Sequence, residues 1–337
     1  MAKKIIYAFL GLLILLCIIT IGGIKYVEAN WFAEKALYFN YREEGKRIHF
    51  EWSSNQYGDY IEPYDAILIP FELAGFKQKF YWQFDTGAPN TTLYGNSLAS
   101  LKKAGLAFHE VVMDQRSFVE EISLNLGGNP ITAKSIGIVQ GYGADVVEDT
   151  LLGRTSMGTI GTDFLEGRIL LIDFKNQFIQ LFDERPHWMR ELGGFEAFDF
   201  QGRRIMLPVK MDKQEYQLLY DSGSSAFGLI TSEKRYRNYS NTSQQEIRYT
   251  TTNMGKPIPI CHKSTDKLIE CGGESLPLQR ISYVDMYAWT QQFISPFTHI
   301  GGWLGNKPFT ESVLILDCKS KEFKVLAAGE FGYLEDG

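Results

Sequence analysis

Most of this sequence is written twice. Phe80-Tyr81-Trp82-Gln83-Phe84 runs into Asp85-Thr86-Gly87-Ala88, and Tyr216-Gln217-Leu218-Leu219-Tyr220 runs into Asp221-Ser222-Gly223-Ser224. An apolar run with a proline precedes each, Ile69-Pro70-Phe71 in one case and Leu207-Pro208-Val209 in the other. Leu93 and Leu229 each stand eight residues beyond their Asp. Leu126-Gly127-Gly128 then answers Cys271-Gly272-Gly273, Ile160-Gly161 answers Leu304-Gly305, and Leu171-Ile172-Asp173-Phe174-Lys175 answers Ile315-Leu316-Asp317-Cys318-Lys319. Gly127 to Gly161 is 34 residues and Gly272 to Gly305 is 33, while each apolar-Gly pair lies 12 residues before its Asp173 or Asp317. Only the stretch after the Asp differs, 42 residues from Asp85 to Gly127 against 51 from Asp221 to Gly272. A loop insertion accounts for that at small entropic cost. An ordered series of matches at matched spacing marks a duplication.

The local pattern is that of strands. Phe80, Trp82 and Phe84 alternate with Tyr81 and Gln83, and Tyr216, Leu218 and Tyr220 alternate in the same way. Gly127-Gly128-Asn129-Pro130 reads as a turn between strands. Strand-like runs recur roughly every 8–12 residues, which points to barrels or sandwiches. Helical pattern is confined to Ser97–Ala104, Asp163–Glu166 and Tyr287–Phe293. The two copies divide near Glu184–Phe200, where Pro186 and Gly193-Gly194 interrupt the pattern, and residues 30–62 read as a spacer with one early strand.

The two Asp turns carry the chemistry. A strand ending in Asp-Thr/Ser-Gly holds a carboxylate at a tight turn, where glycine lets a partner approach closely. The small hydroxyl residue beside the Asp can hydrogen-bond across to the other turn. Two copies related by a pseudo-two-fold axis bring Asp85 and Asp221 face to face. Two such carboxylates cannot both ionise easily and share a proton. One can act as base on a water while the other protonates a substrate carbonyl. That chemistry is direct hydrolysis of an amide, and it needs neither a metal nor a cofactor.

With these residues in place, the sequence resembles the pepsin/retropepsin superfamily of aspartic proteases, in its two-lobed single-chain form. Phe84-Asp85-Thr86-Gly87-Ala88, Tyr220-Asp221-Ser222-Gly223-Ser224, Ile160-Gly161 and Leu304-Gly305 carry the resemblance, and Ile160-Gly161-Thr162-Asp163-Phe164-Leu165 is similar to the closing motif of retropepsin-like domains. The likeness spans roughly residues 63 to 327. It implies an all-β chain in the bilobal pepsin-like acid protease fold, with two homologous β-barrel-like lobes at 63–190 and 191–337. It also implies Asp85 and Asp221 as the catalytic pair, with Thr86, Gly87, Ser222 and Gly223 supporting them. Ser224 would support the outer oxygen of Asp221, a role its counterpart Ala88 cannot fill for Asp85. Members of this family cover the cleft with a tyrosine-bearing hairpin flap. Here the corresponding stretch, Phe108 to Phe118, has Met113-Asp114-Gln115-Arg116 at its tip and no Tyr. Tyr142, between Gly141 and Gly143, is the candidate aromatic cover, although a simple loop aromatic is the plainer reading.

The expected activity is therefore that of an aspartic endopeptidase on a peptide or protein substrate, acting as a monomer. The missing flap Tyr keeps open a catalytically inactive module that binds through the same cleft. A glycosidase using the same carboxylates would need them about 5–9.5 Å apart. A serine hydrolase built on Gly223-Ser224-Ser225 is excluded, because position 227 is Phe where the G-x-S-x-G pattern needs Gly. Asp173 and Asp317 follow the apolar-Gly turns and read as structural turn residues.

Ile5–Ile24 is twenty residues without a charge, enough to span a bilayer core of about 30 Å as a helix. Lys3 and Lys4 precede it, which favours residues 1–4 in the cytoplasm and the body after residue 25 on the outer side of a membrane, periplasmic or at the cell surface. A signal peptide cleaved near Val27-Glu28-Ala29 is the rival reading. Lys and Arg total 34 against 40 Asp and Glu, a net charge of −6 that argues against nucleic acid as a partner. Four cysteines are too few for a disulfide-built scaffold. Outside the cytoplasm Cys261 and Cys271, ten residues apart, are candidates for a hairpin disulfide, with Cys318 as competitor.

Overall fold

The computed structural model describes residues 39–41, 44–73, 76, 79–146, 156–253, 256–284 and 300–327. The expected membrane span Ile5–Ile24, its flanks and the expected helix Tyr287–Phe293 lie outside the described residues. Among the described residues no helix is long and apolar enough to cross a membrane.

Among the described residues the chain is mostly β, arranged in sheets of nine, ten and six strands. The duplication in sequence is repeated in the pairing. In the first copy, strand Phe80–Phe84 runs parallel to Ser156–Ile160, with Phe84 opposite Ile160. In the second, Gln214–Tyr220 runs parallel to Ile300–Leu304, with Tyr220 opposite Leu304. Each apolar-Gly strand also pairs antiparallel with the short strand after the Asp turn, Thr92–Tyr94 or Leu229–Ile230. Each Asp turn therefore leaves the end of a strand that has neighbours on both sides.

These strands form because their sequences suit a doubly covered sheet. Trp82, Phe84, Tyr220 and Leu304 are fully buried and belong to one continuous core that runs through both copies. Gly158 is required by this packing, since a side chain there would meet the Trp82 ring at 2.6 Å. At roughly 1.5–3 kcal/mol per buried large apolar side chain, the core is what fixes the Asp turns in space.

The six-stranded sheet joins the copies. Ile169–Asp173 lies antiparallel to Ser312–Asp317, with Ile169 opposite Asp317, Leu171 opposite Ile315 and Asp173 opposite Val313. Ile169 and Val313 are equivalent positions of the repeat, as are Asp173 and Asp317. Each strand thus meets its own copy about a local pseudo-two-fold axis at Leu171 and Ile315. Asp173 and Asp317 close the turns that follow. Asp173 accepts from the Asn176 backbone N–H (2.8 Å), and Asp317 accepts from that of Ser320 (2.8 Å).

Two expectations are corrected by the pairing. The segment before residue 63, read as a spacer with one strand, carries Phe39–Tyr41, Ile48–His49, Glu51–Tyr57 and the start of Tyr60–Phe71. Phe39–Tyr41 pairs with Asn129–Val139, and Ile48–His49 joins the six-stranded sheet through Phe178–Phe182. These short strands have no apolar period of their own, and their form comes from the partners they meet. The Cys261–Cys271 disulfide is absent: both thiols, and that of Cys318, are free and buried. Cys261 lies on Lys256–Ser264, which pairs with Ile247–Asn253 and Arg280–Val284. Cys271 ends Leu268–Cys271, which pairs with Glu274–Pro277 and Arg204–Met211. The two strands are consecutive in the chain but are not hairpin partners, so the thiols enter different parts of the core.

The difference in length between the copies lies in these hairpins. In the first copy one long strand, Arg116–Leu126, pairs with both His109–Met113 and Asn129–Val139. The second breaks the corresponding stretch into the hairpins Ile247–Asn253 with Lys256–Ser264 and Leu268–Cys271 with Glu274–Pro277. The helix expected at Ser97–Ala104 is observed at Gly95–Lys103, and a 3-10 turn covers Thr162–Leu165.

Candidate active site

Asp85 and Asp221 follow directly from their strand ends, each with its backbone N–H donating to the carbonyl of the apolar residue before the paired glycine. Asp85 N reaches Ile160 O at 3.0 Å and Asp221 N reaches Leu304 O at 2.9 Å. Both turns are then tied to each other by four bonds. Thr86 N donates to Ser222 Oγ (2.9 Å), and Ser222 N donates to Thr86 Oγ1 (2.9 Å). The same hydroxyls donate onward, Thr86 Oγ1 to Tyr220 O (3.1 Å) and Ser222 Oγ to Phe84 O (3.0 Å). Thr86 and Ser222 are buried, so each hydroxyl satisfies one donor and one acceptor that water cannot reach.

The two glycines let the carboxylates meet. A Cβ on Gly87 would stand 2.6 Å from Asp221 Cγ, and one on Gly223 would stand 2.6 Å from Asp85 Oδ2. Each carboxyl group therefore lies against the opposing turn. The two carboxyl groups thus face each other across the paired glycine turns. Asp85 Oδ1 accepts from Gly87 N at 2.8 Å. Asp221 is held by more donors: Oδ1 accepts from Gly223 N (3.0 Å) and Ser224 N (3.2 Å), and Oδ2 accepts from Ser224 Oγ (2.8 Å). Burial, and then the charge of Asp221, hold the Asp85 carboxyl well above the usual carboxylate range, against the lowering effect of the Gly87 and Ala88 N–H groups. The arrangement can hold one proton between two carboxyl groups, with the proton favoured on Asp85.

Behind each turn the apolar-Gly segment is packed without clearance. A Cβ on Gly161 would strike Ala88 O at 2.7 Å, and Gly305 lies as closely against Ser224 O and Phe227 O. Asp163, quoted in the sequence motif but given no role there, is buried and accepts from Thr91 N (2.8 Å) and Thr91 Oγ1 (2.7 Å). Asn306 serves the second copy, accepting from Tyr220 O–H (2.8 Å) and donating to Ser225 Oγ (2.7 Å). A polar residue one or two places beyond the repeated glycine was the signal available for both.

Tyr142 packs edge-on against Tyr94, with ring centroids 4.7 Å apart. The Tyr94 hydroxyl pairs with Thr159 Oγ1 at 2.6 Å. The hairpin His109–Met113 with Arg116–Leu126 turns at Asp114 and Gln115, both at positive φ, and leaves Val112 and Met113 exposed. Cys261 and Cys271 take no part in the site. Among the described residues no group of three or more His, Cys, Asp or Glu could hold a metal ion. No protein-family model matches the chain, and no curated protein matches it.

Proposed function

We propose that this chain is an aspartic endopeptidase of the bilobal pepsin-like kind, held at a membrane by Ile5–Ile24 with its body on the outer side. The observation that carries the reading is the four-bond grip between Thr86 and Ser222, which presents Asp85 and Asp221 against each other's turns. In the resting site Asp85 carries the shared proton and Asp221 is the carboxylate. A water between them attacks the peptide carbonyl carbon while its proton passes to Asp221 and the Asp85 proton passes to the carbonyl oxygen. The resulting gem-diol breaks its C–N bond as Asp221 protonates the leaving nitrogen and Asp85 recovers a proton from a diol hydroxyl. The donors on Asp221 suit it to the anionic role in the first step.

The test is a peptide-library digest by the full chain and by its Asp85→Asn and Asp221→Asn variants, with pepstatin as inhibitor. Cleavage that is lost in both variants and blocked by pepstatin supports the reading, and unchanged cleavage in either variant removes it. The second reading, a binding module without turnover, is favoured by a hairpin tip that offers Met113, Asp114, Gln115 and Arg116 but no tyrosine. It expects no cleavage at any pH from 3 to 8 together with retention of a peptide or protein on the wild-type chain.

A further inference from the structure

Two charged side chains reach across from one copy of the repeat to the other, outside the hydroxyl grip. Glu62 is the third residue of the strand Tyr60–Phe71, which pairs with the Asp85 strand by setting Ile67 opposite Phe84. Its carboxylate is fully buried, and it enters the second copy. Oε1 accepts from Lys307 Nζ at 2.6 Å, and Oε2 accepts from Arg280 Nη1. Tyr64 N (3.0 Å) and Tyr60 O–H (2.5 Å) complete its shell. Lys307 lies two residues beyond Gly305. Its backbone N–H donates to Phe227 O at 3.3 Å, and Arg280 Nη1 donates to Ala226 O at 3.3 Å. Glu62 therefore grips the segments that carry the Asp221 turn from behind.

Arg203 makes the reverse connection. It stands just before the strand Arg204–Met211, which pairs with the Asp221 strand, and it enters the first copy. Nε and Nη2 meet Glu166 at 2.9 and 3.1 Å, and Nη1 donates to Asn90 Oδ1. Its carbonyl accepts from Thr162 Oγ1 at 2.6 Å, and the Thr162 N–H donates to Ala88 O at 2.9 Å. The segment held is the one just beyond Gly161, behind the Asp85 turn. Its polarity is opposite to that of the first brace: here a cation reaches an acid, whereas at Glu62 an acid reaches two cations.

We propose that Glu62 and Arg203 are positioning residues that set the spacing of Asp85 and Asp221 from outside the grip. The proposal rests on the reading of those two aspartates as the catalytic pair. Glycines 161 and 305 leave no slack between the braced segments and the Asp turns, so a shift at a brace is transmitted to a carboxylate. A brace of this kind acts on the coupling between the two carboxyl groups, which is read as the separation of their two apparent pKa values. The groups facing Glu62 are Lys307, Arg280, Tyr60 and Tyr64, with Asp65, His262 and Tyr249 in the surrounding shell.

The experiment compares the full chain in detergent with Glu62→Gln, Arg203→Met and the double variant Glu62→Leu/Lys307→Met. The double variant removes the Glu62 and Lys307 charges together, while Arg280, one-fifth exposed, keeps Ala226 O as a partner, so less charge is left buried and unpaired than in a single removal. In each variant kcat should fall about tenfold with KM held within about twofold, and the two limbs of the kcat/KM pH profile should draw together. A purely structural role lowers Tm in the single variants but returns kcat and limb separation to wild type when the double variant recovers its Tm. That result overturns the proposal. If the wild type cleaves no peptide, the peptidase reading fails by itself. The brace is then read by NMR titration of the carboxyl carbons of Asp85 and Asp221, and an unchanged separation in Glu62→Gln overturns it.

Discussion

Replacing Ser222 with alanine removes a single oxygen from a fully buried position and alters the shape of the side chain little else. The oxygen serves two groups, accepting from Thr86 N at 2.9 Å and donating to Phe84 O at 3.0 Å. A buried N–H left without a partner costs about 1–3 kcal/mol, and the second bond contributes about 1 kcal/mol more. The variant should therefore lose roughly 2–4 kcal/mol, which in a chain of this size lowers Tm by about 3–6 °C. Thr86→Val removes the other hydroxyl while keeping its branched shape, and its cost should be similar. The two losses should not add, because both hydroxyls hold the same pair of turns, and a coupling of about 0.5–3 kcal/mol is expected in the double variant. Scanning calorimetry of the four proteins measures this cycle, and peptide cleavage by the same samples reads the consequence for the dyad. A Ser222→Ala chain with Tm within 1 °C of wild type, or strictly additive losses, would refute the reasoning that the grip is what presents the carboxylates.

Asp85 binds its proton more tightly in the folded chain, so its contribution to stability is fullest below the unfolded carboxyl pKa of about 3.9 and declines as pH rises through the raised folded value. Wild-type Tm should accordingly fall relative to that of Asp85→Asn between pH 4 and pH 8, and a constant difference across that range would contradict it. Gly87→Ala forces a methyl group against the Asp221 carboxylate and should cost about 1–3 kcal/mol and abolish cleavage, whereas Gly193→Ala, with open space around it, should change neither on calorimetry and peptide assay. Asp163→Asn presents an amide where Thr91 offers two donors, and should lower Tm by about 1–4 °C. Burial raises the thiol pKa of Cys271 and Cys318 and encloses Cys261, so native iodoacetamide labelling followed by peptide mapping should leave all three unmodified until the chain is unfolded.

The duplicated Asp turns could be read in the sequence because each of their parts is local. Alternating apolar residues make a strand, and Asp-Thr-Gly or Asp-Ser-Gly makes the turn that ends it. The apolar-Gly pairs recur at a fixed distance because the same strands close the same sheet in both copies. The Thr and Ser beside the two Asp residues were candidates for cross-bonding on chemistry alone, and each is found bonded to the opposite turn. The short strands Phe39–Tyr41 and Ile48–His49 carry no such local signal, since their pairing partners lie more than eighty residues away. The disulfide expectation failed for a related reason. Ten residues of separation fit a hairpin, but the strands bearing Cys261 and Cys271 chose other partners.

Residue pattern by itself determined that this chain is built from two like halves, rich in strands, each ending one strand in an acidic turn. Tertiary structure decided how tightly the halves are joined and by which groups. Glu62 meets Lys307 across 245 positions of the chain, and Arg203 meets Asn90 across 113. Neither encounter follows from local periodicity, because a buried charge acquires its partner only when the two halves close on each other and exclude the water that would otherwise solvate it.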